Sequence, residues 1–414
     1  MSYFRCRKLN KKGSMTVYTL IFATTLISLI TAFISSAENK LVKESANSLG
    51  SLWATSILAE YDRELYDRYG ILAYYGDENI VENKLQTYVD YTYKDKRYAH
   101  CSVSSVDIFE YSLFKTENLV EQIKLVCLLE KLTGKDGRAA GGSYVRYDNG
   151  SGSAGTGRVI TNQRLLNSLP SRGRTNDGLL DRAGDFLKSL TSVKDIISEG
   201  SEDYLVNNYI LNKFRNVYCP VPGNPYYLYG EQEYIVCGNN SDESNRRSVR
   251  NRIIAMREVM NLVYLEENEE AQALALAAGE LITAGYAGPE AAKVIIGSWA
   301  LAESVNDYEL LIKGYPVPVL KDEASWAMDL ESVLSDTEPG CVYTGNQRGD
   351  YYSDYIEYML YLMDDNTRLL RIMDLIQINM RDSYRSDFLI SEHFVGVDYE
   401  LTANGEKYAF TDKY

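Results

Sequence analysis

Residues 15–37 read MTVYTLIFATTLISLITAFISSA. No charged side chain interrupts them, and at about 1.5 Å of helix rise per residue they cover the roughly 30 Å of a bilayer's hydrocarbon core. The stretch is therefore expected to be a transmembrane helix. Arg5, Arg7, Lys8, Lys11 and Lys12 precede it with no acid among residues 1–14, whereas Glu38 and Glu44 offset Lys40 and Lys43 just beyond it. The positive-inside rule then keeps residues 1–14 in the cytoplasm. The expected location is the cell membrane, single-pass, with the C-terminal part extracellular. A cleavable secretory signal is the competing reading, because Ser35 and Ala37 supply the small residues that a signal peptidase favours before Glu38. Against it, the apolar run is longer than the about 7 to 15 residues usual in such signals. The apolar region 272–302 does not compete as a span, since Glu280, Glu290 and Lys293 would be costly at mid-bilayer.

Helical spacing continues past the membrane. Leu49, Leu52, Trp53, Ile57, Tyr61, Leu65 and Tyr69 recur up to Gly70, so the first helix is expected to run on to that glycine. A second helix is expected over 79–92, a strand over 101–114, where β-branched and aromatic residues alternate, and a helix over 117–133. Residues 134–160 are Gly- and Ser-rich and read as a linker. Helical patterns return over 176–215 and 244–335. The latter includes a buried hairpin of helices, 270–285 and 290–312, with Pro289 in the first turn of its second member. A last helix is expected over 353–380, and two paired strands between Asp387 and Phe410, turning at Asn404-Gly405. The expected fold is α+β, mainly α: an N-terminal transmembrane helix extending into a long helix, then a helical ectodomain with a small antiparallel sheet. Its parts are a basic leader 1–14, the span 15–37, a stalk helix and α+β region 38–133, the linker 134–160, and a mainly helical domain with C-terminal strands 161–414.

The whole chain of 414 residues has a net charge of -15, and without the basic leader it is more acidic still. Such a surface repels phosphate backbones, and no basic patch with interleaved aromatics overrides this, so nucleic acid is not expected as a partner. Tyr, with 35 copies against 10 Phe, suits a partly polar surface or protein interfaces. Cys6, Cys101, Cys127, Cys219, Cys237 and Cys341 form no CxxC pair, which argues against a zinc or redox centre. Outside the cytoplasm Cys219 and Cys237 can form a disulfide across the Pro- and Gly-rich stretch separating them; the alternative is that they are small buried hydrophobes.

Chemistry-bearing motifs are scarce. His100 and His393 lie in no metal-ligand spacing, and no nucleophile elbow, P-loop or HExxH is present. Gly150-Ser151-Gly152-Ser153-Ala154-Gly155 matches GxGxxG but follows no strand, so it reads as linker. Glu60, Glu64 and Asp67 fall on one helical face with Arg63 and Arg68 nearby, a salt-bridged surface before it is a cation or acid-base site. Asn239, Asn240, Ser241, Asp242 and Glu243 make an oxygen-rich loop that lacks EF-hand spacing and is explained equally by a helix N-cap. No catalytic residue, metal ligand or cofactor is assigned, and the protein is not expected to be an enzyme.

Three stretches carry a resemblance: KKGSMTV entering the apolar helix, LAEYDRELYDRYGILAY beyond it, and LLRIMDLIQINMRDSY near the C-terminus. They resemble an uncharacterised bacterial family of unknown function, with a pilin-like or signal-anchor helix before a large extracytoplasmic domain, whose genes accompany Tad-type pilus components. The resemblance implies a minor-pilin-like or assembly-associated role, with protein partners in a pilus or secretion assembly. The basic leader also looks like that of a type IV prepilin, which is cut after a glycine; the matching bond here joins Gly13 and Ser14, and Tyr18 stands where that family has glutamate. The alternatives are a membrane-tethered or secreted binding module for a wall polymer, peptide or cation, and an extracellular hydrolase using carboxylates alone.

Overall fold

A computed structural model describes residues 12–133, 158–172, 201–218, 227–335, 340–345 and 348–414. The chain is α+β, mainly α, and divides into two compact units. The first comprises residues up to Asp62, Leu72–Ser112 and Glu392–Tyr414; the second comprises Arg63–Ile71 and Leu113–Ser391.

Helix α1 (Lys12–Leu58) opens the first unit as a single uninterrupted helix. It stops earlier than Gly70. The Asp62 N–H donates to Ala73 O (2.8 Å) and Tyr61 bridges Tyr74, so the chain leaves the helix to pair in extended form. A separate short helix, α2 (Arg63–Tyr69), resumes the periodic pattern and ends before Gly70. The first unit continues through strand β1 (Tyr74–Tyr75), helix α3 (Glu78–Tyr93) and strand β2 (Cys101–Asp107). Asp77 caps α3 by accepting from the Ile80 N–H. The strand expected over 101–114 ends at Asp107, and a turn of 3-10 helix covers Phe109–Tyr111.

Near the C-terminus, β3 (His393–Phe394) pairs with β1, and β4 (Gly396–Ala403) is the central strand of an antiparallel sheet ordered β2, β4, β5, where β5 is Glu406–Lys413. The β4–β5 turn is Asn404-Gly405, as expected, with φ of 48° and 82°, the left-handed pair of a two-residue hairpin. Alternate residues of β4, Val397, Tyr399, Leu401 and Ala403, are buried against Val42, Ala46, Trp53, Ala54 and Ile57 of α1 and Val81, Leu85 and Val89 of α3. A period-2 face thus covers two period-3.6 stripes.

Helix α1 and β5 approach closely at Gly50. A Cβ placed there would fall inside the contact distance of the Phe410 ring, while the Tyr399 hydroxyl donates to Gly50 O (2.6 Å). Gly50→Val should therefore lower stability by about 1–3 kcal/mol through overpacking. Thermal unfolding followed at the buried Trp53 would report this. Partial recovery on adding Phe410→Ala would locate the cause, and an unchanged melting profile would refute the close approach.

The second unit is helical: α2, α4 (Thr116–Thr133), α5 (Gln163–Ser168), α6 (Glu202–Lys213), α7 (Glu231–Cys237), α8 (Asp242–Glu267), α9 (Glu269–Ile282), α10 (Gly288–Ile312), α11 (Leu330–Leu334), α12 (Tyr352–Leu362) and α13 (Asp365–Ser383). The helix expected over 353–380 is two. Met363 breaks it in extended conformation, and Asp364 caps α13, accepting from the Thr367 N–H and hydroxyl (both 2.9 Å). Helices α9 and α10 form the expected hairpin with Pro289 in the first turn of α10, packing Ala271, Ala275, Ala292, Ile295, Ile296, Trp299 and Ala300 into a core with Leu265 of α8. Only one face of it is buried, for Leu281, Ile282 and Tyr286 at its tip are exposed. Within the helical region expected over 244–335, residues 313–329 are irregular. Short α7 is buried almost throughout and packs against α8, α12 and α13.

Candidate functional site

Two features have physical demands that ordinary packing does not explain: the apolar part of α1, and a set of buried charges in the second unit.

Among the described residues, α1 is the one helix long and apolar enough to cross a membrane. Its large apolar side chains from Met15 to Ile34 are exposed, Phe22 and Phe33 each at 69%. Threonine hydroxyls in this stretch bond back within the helix: Thr24 donates to Ile21 O (2.9 Å), Thr25 to Phe22 O (2.8 Å) and Thr31 to Ile27 O (2.7 Å). Such back-bonding suits a hydrocarbon surrounding, which offers a hydroxyl no other partner. Gly13 and Ser14 lie in the first turn of α1. At the far end of the apolar stretch an open cleft of about 510 Å³ is lined by Ser35, Glu38, Asn39, Tyr98, His100, Asn404 and Gly405. Asn404 ties it together, donating to Asn39 Oδ1 (2.8 Å) and Tyr98 O (3.2 Å) and accepting from the His100 N–H (2.8 Å).

In the second unit, α8 and α10 face each other across an ionic cluster. Arg257 of α8 donates from Nε to Asp307 Oδ2 (2.9 Å) and from Nη2 to Asn261 Oδ1 (3.1 Å). Its Nη1 donates to the carbonyls of Pro318 (2.8 Å) and Val319 (2.9 Å). Lys321, from the irregular segment after α10, places Nζ 2.6 Å from Asp307 Oδ1 and in contact with Glu303 Oε1. The side chains of Arg257, Asp307, Lys321 and Glu303 are all 0% exposed. Glu303 Oε2 also accepts from the Met328 N–H (2.8 Å), and the Ala327 N–H is shared between Oε1 (3.2 Å) and Oε2 (3.3 Å). Burial holds the Glu303 carboxyl above its usual range despite Lys321. For Asp307 burial acts in the same direction, but Arg257 and Lys321 outweigh it and pull the carboxyl below its usual range.

A second set surrounds α7. Burial pushes Glu231 up to about 8, against hydrogen bonds from Asn379 Nδ2 (2.6 Å) and the Arg215 N–H (3.2 Å). It pushes Glu233 up to about 7, although Oε1 accepts from the Val217 N–H (3.0 Å) and the Tyr352 hydroxyl (2.9 Å). Asp242, at the start of α8, accepts from the N–H groups of Arg158 (2.9 Å), Tyr229 (3.2 Å) and Gly230 (3.1 Å). The oxygen-rich 239–243 loop is thus a helix start, with Ser241 capping α8. Burial likewise raises Asp374 to about 6; its Oδ2 accepts from the Tyr234 hydroxyl (3.0 Å).

The family of unknown function DUF5702 matches residues 155–405. The chain belongs to this family. The DUF5702 match takes in both charged sets and leaves α1 outside it. No curated protein and no solved structure matches the chain.

Other residues singled out in the sequence are scattered. Cys237 ends α7, where burial pushes its thiol up to about 11; Cys219, its expected disulfide partner, lies outside the described residues. So do Gly150–Gly155 and most of the expected linker. His100 is exposed, while His393 is buried in β3 with Nε2 3.5 Å from Asp62. Glu60 lies outside any helix and pairs with Lys84; Arg63–Asp67 and Arg68–Glu64 are surface pairs on α2. Among the described residues no group of three His, Cys, Asp or Glu is arranged to hold a metal.

The buried charges were missed by motif reading, yet a signal for them exists. Glu303 and Asp307 fall in phase with Ile296, Trp299, Ala300, Leu310 and Leu311, and Arg257 with Ile253 and Met260. Acids and bases on the apolar stripe of a helix, rather than on its wet face, are the mark of a buried ionic network.

Proposed function

We propose that this member of the DUF5702 family is a non-enzymatic, membrane-anchored surface protein. Its folded part lies outside the cytoplasm, where it serves a pilus in a minor-pilin-like or assembly-associated role. The observation that carries the reading is the continuity of α1. The helix with the exposed apolar stretch supplies Val42, Ala46, Trp53, Ala54 and Ile57 to the first unit's core, with no break at Ser35–Ala37 where a signal peptidase would cut. The five basic residues before the helix support the cytoplasmic placement of the N-terminus. The likeness of Lys11-Lys12-Gly13-Ser14 to a prepilin leader supports the pilus role.

The test is the N-terminal peptide of the mature protein, read by mass spectrometry from membrane, medium and sheared-filament fractions. The expected result is a membrane-bound chain that retains residues 15–37, starting at Ser14 or carrying its leader, and that also sediments with filaments. A chain starting at Glu38 in the medium would overturn the anchor. A membrane-bound chain absent from filaments and from their assembly complexes would overturn the pilus role in favour of a tethered binding module.

A further inference from the structure

The Lys321 contacts differ from an ordinary salt bridge in ways that matter chemically. One amine meets two carboxyls, and all three side chains are wholly buried. Each carboxyl is held by a separate device. Asp307 is fixed through its other oxygen by Arg257 and by Asn261 Nδ2 (3.1 Å), whereas Glu303 takes the backbone N–H groups of Ala327 and Met328. The Trp326 ring, 5.8 Å from Nζ, covers the group. Backbone N–H groups aimed at a carboxyl oxygen stabilise the charge that develops when the carboxyl carbon is attacked.

We propose that Lys321 and Glu303 become joined by an intramolecular isopeptide bond, formed without any enzyme, with Asp307 relaying the proton. In a dry site the ammonium passes one proton to the Glu303 carboxylate, giving a neutral amine beside a neutral acid; removal from water favours that pair over two separate charges. The Nζ lone pair then attacks Glu303 Cδ, and the oxygen that gains charge, Oε2, is held by the Met328 N–H, with the Ala327 N–H shared between the two carboxyl oxygens. Asp307 takes one proton from the nitrogen and delivers it to the departing hydroxide. The Cδ–N bond forms, the Cδ–OH bond breaks, one water leaves and Asp307 is a carboxylate again. No oxidant, cofactor or activated acid is consumed. Fixed contact lowers the barrier, because well-oriented intramolecular partners react as though at effective concentrations on the order of 10⁵ M or more.

Glu303 rather than Asp307 is the acceptor for two reasons. Its carboxyl is held toward the protonated form, in which hydroxide can leave as water, while Arg257 keeps Asp307 ionised and so suited to carrying a proton. The backbone donors also point at Glu303 alone of the two. The bond would close the chain between the C-terminal half of α10 and the irregular segment that follows, fixing that segment to the helix.

The test uses the full chain, denatured, digested and read by tandem mass spectrometry. The expected result is a branched peptide that joins the Lys321 and Glu303 segments and is lighter by one water than their sum. The Asp307→Asn variant, equal in size but less stable because Arg257 loses its anion, should lose the branch, as should Lys321→Arg. Wild-type protein that is folded by circular dichroism yet gives only linear peptides would overturn the proposal, as would a branch mapping to Asp307. If the variants fail to fold, the wild-type digest decides alone. A folded Asp307→Asn protein that still carries the branch would overturn the relay.

Discussion

Arg257→Met should destabilise the second unit by roughly 3–5 kcal/mol, the cost of stripping one partner from a buried charge pair. The guanidinium is wholly buried and serves Asp307, Asn261, Tyr355 and the carbonyls of Pro318 and Val319. Met fills similar space but returns none of these hydrogen bonds, and it leaves Asp307 with Lys321 as its one remaining cation. If Lys321 is spent in an amide, that cation is gone as well, and the loss belongs at the upper end of the range. Urea unfolding followed by tryptophan fluorescence is a suitable measurement, since Trp299 and Trp326 lie in this unit. Arg246→Ala is the control. Its partner Glu243 is largely exposed, and surface pairs contribute less than about 1 kcal/mol. Equal losses in the two variants would show that the Arg257 cluster is wetter than described.

Stability of the second unit should also fall as the pH rises through neutrality, opposite to the trend set by ordinary paired acids. Glu231 moves from 4.5 to about 8 on folding, and Glu233 from 4.5 to about 7. A carboxyl raised in the folded state binds its proton more tightly there. Its contribution is fully present below about 4.5, erodes as the unfolded chain ionises, and is lost once the pH passes the folded value. At about 1.4 kcal/mol per pH unit each group gives an effect on the order of several kcal/mol. Glu231 faces Asn379, the Arg215 N–H and the Arg215 charge, which opposes the shift, and Glu233 faces Tyr352 and the Val217 N–H; Asp242 adds repulsion to both. Asp307 works the other way, contributing at neutral pH and losing its contribution in acid, because its carboxyl is lowered. Stability should therefore peak on the mildly acidic side. The check is the urea midpoint across this window for the wild type and Glu231→Gln, in which the slope should flatten. A midpoint that stays level or climbs up to about pH 8 would contradict the buried, protonated state.

The elements that the sequence revealed are those whose signal is local. The apolar run of α1, Pro289 opening α10, and Asn404-Gly405 between two alternating strands each specify structure within a few residues. The errors arose where distant chain decides. Helix α1 stops at Leu58 because Asp62 finds Ala73, and one expected helix splits because Asp364 finds a better role as a cap than as a helical residue. The candidate site was the least legible part. Lys321 sits in an irregular segment with no periodicity to read, and only folding brings it to Glu303 and Asp307. On α10 those two acids could have been suspected from their phase with Trp299 and Leu310, but phase alone does not tell which cation meets them.

The unbroken course of α1 has a mechanical side. A helix from Lys12 to Leu58 is about 70 Å of stiff rod at about 1.5 Å per residue, and its C-terminal part is clamped between β4, β5 and α3. Any tilt or rotation of the apolar end is then imposed on the first unit without slack, as a turned shaft moves the wheel fixed to it. In a membrane or a filament, the direction in which that unit faces would be chosen by the neighbours of residues 15–37.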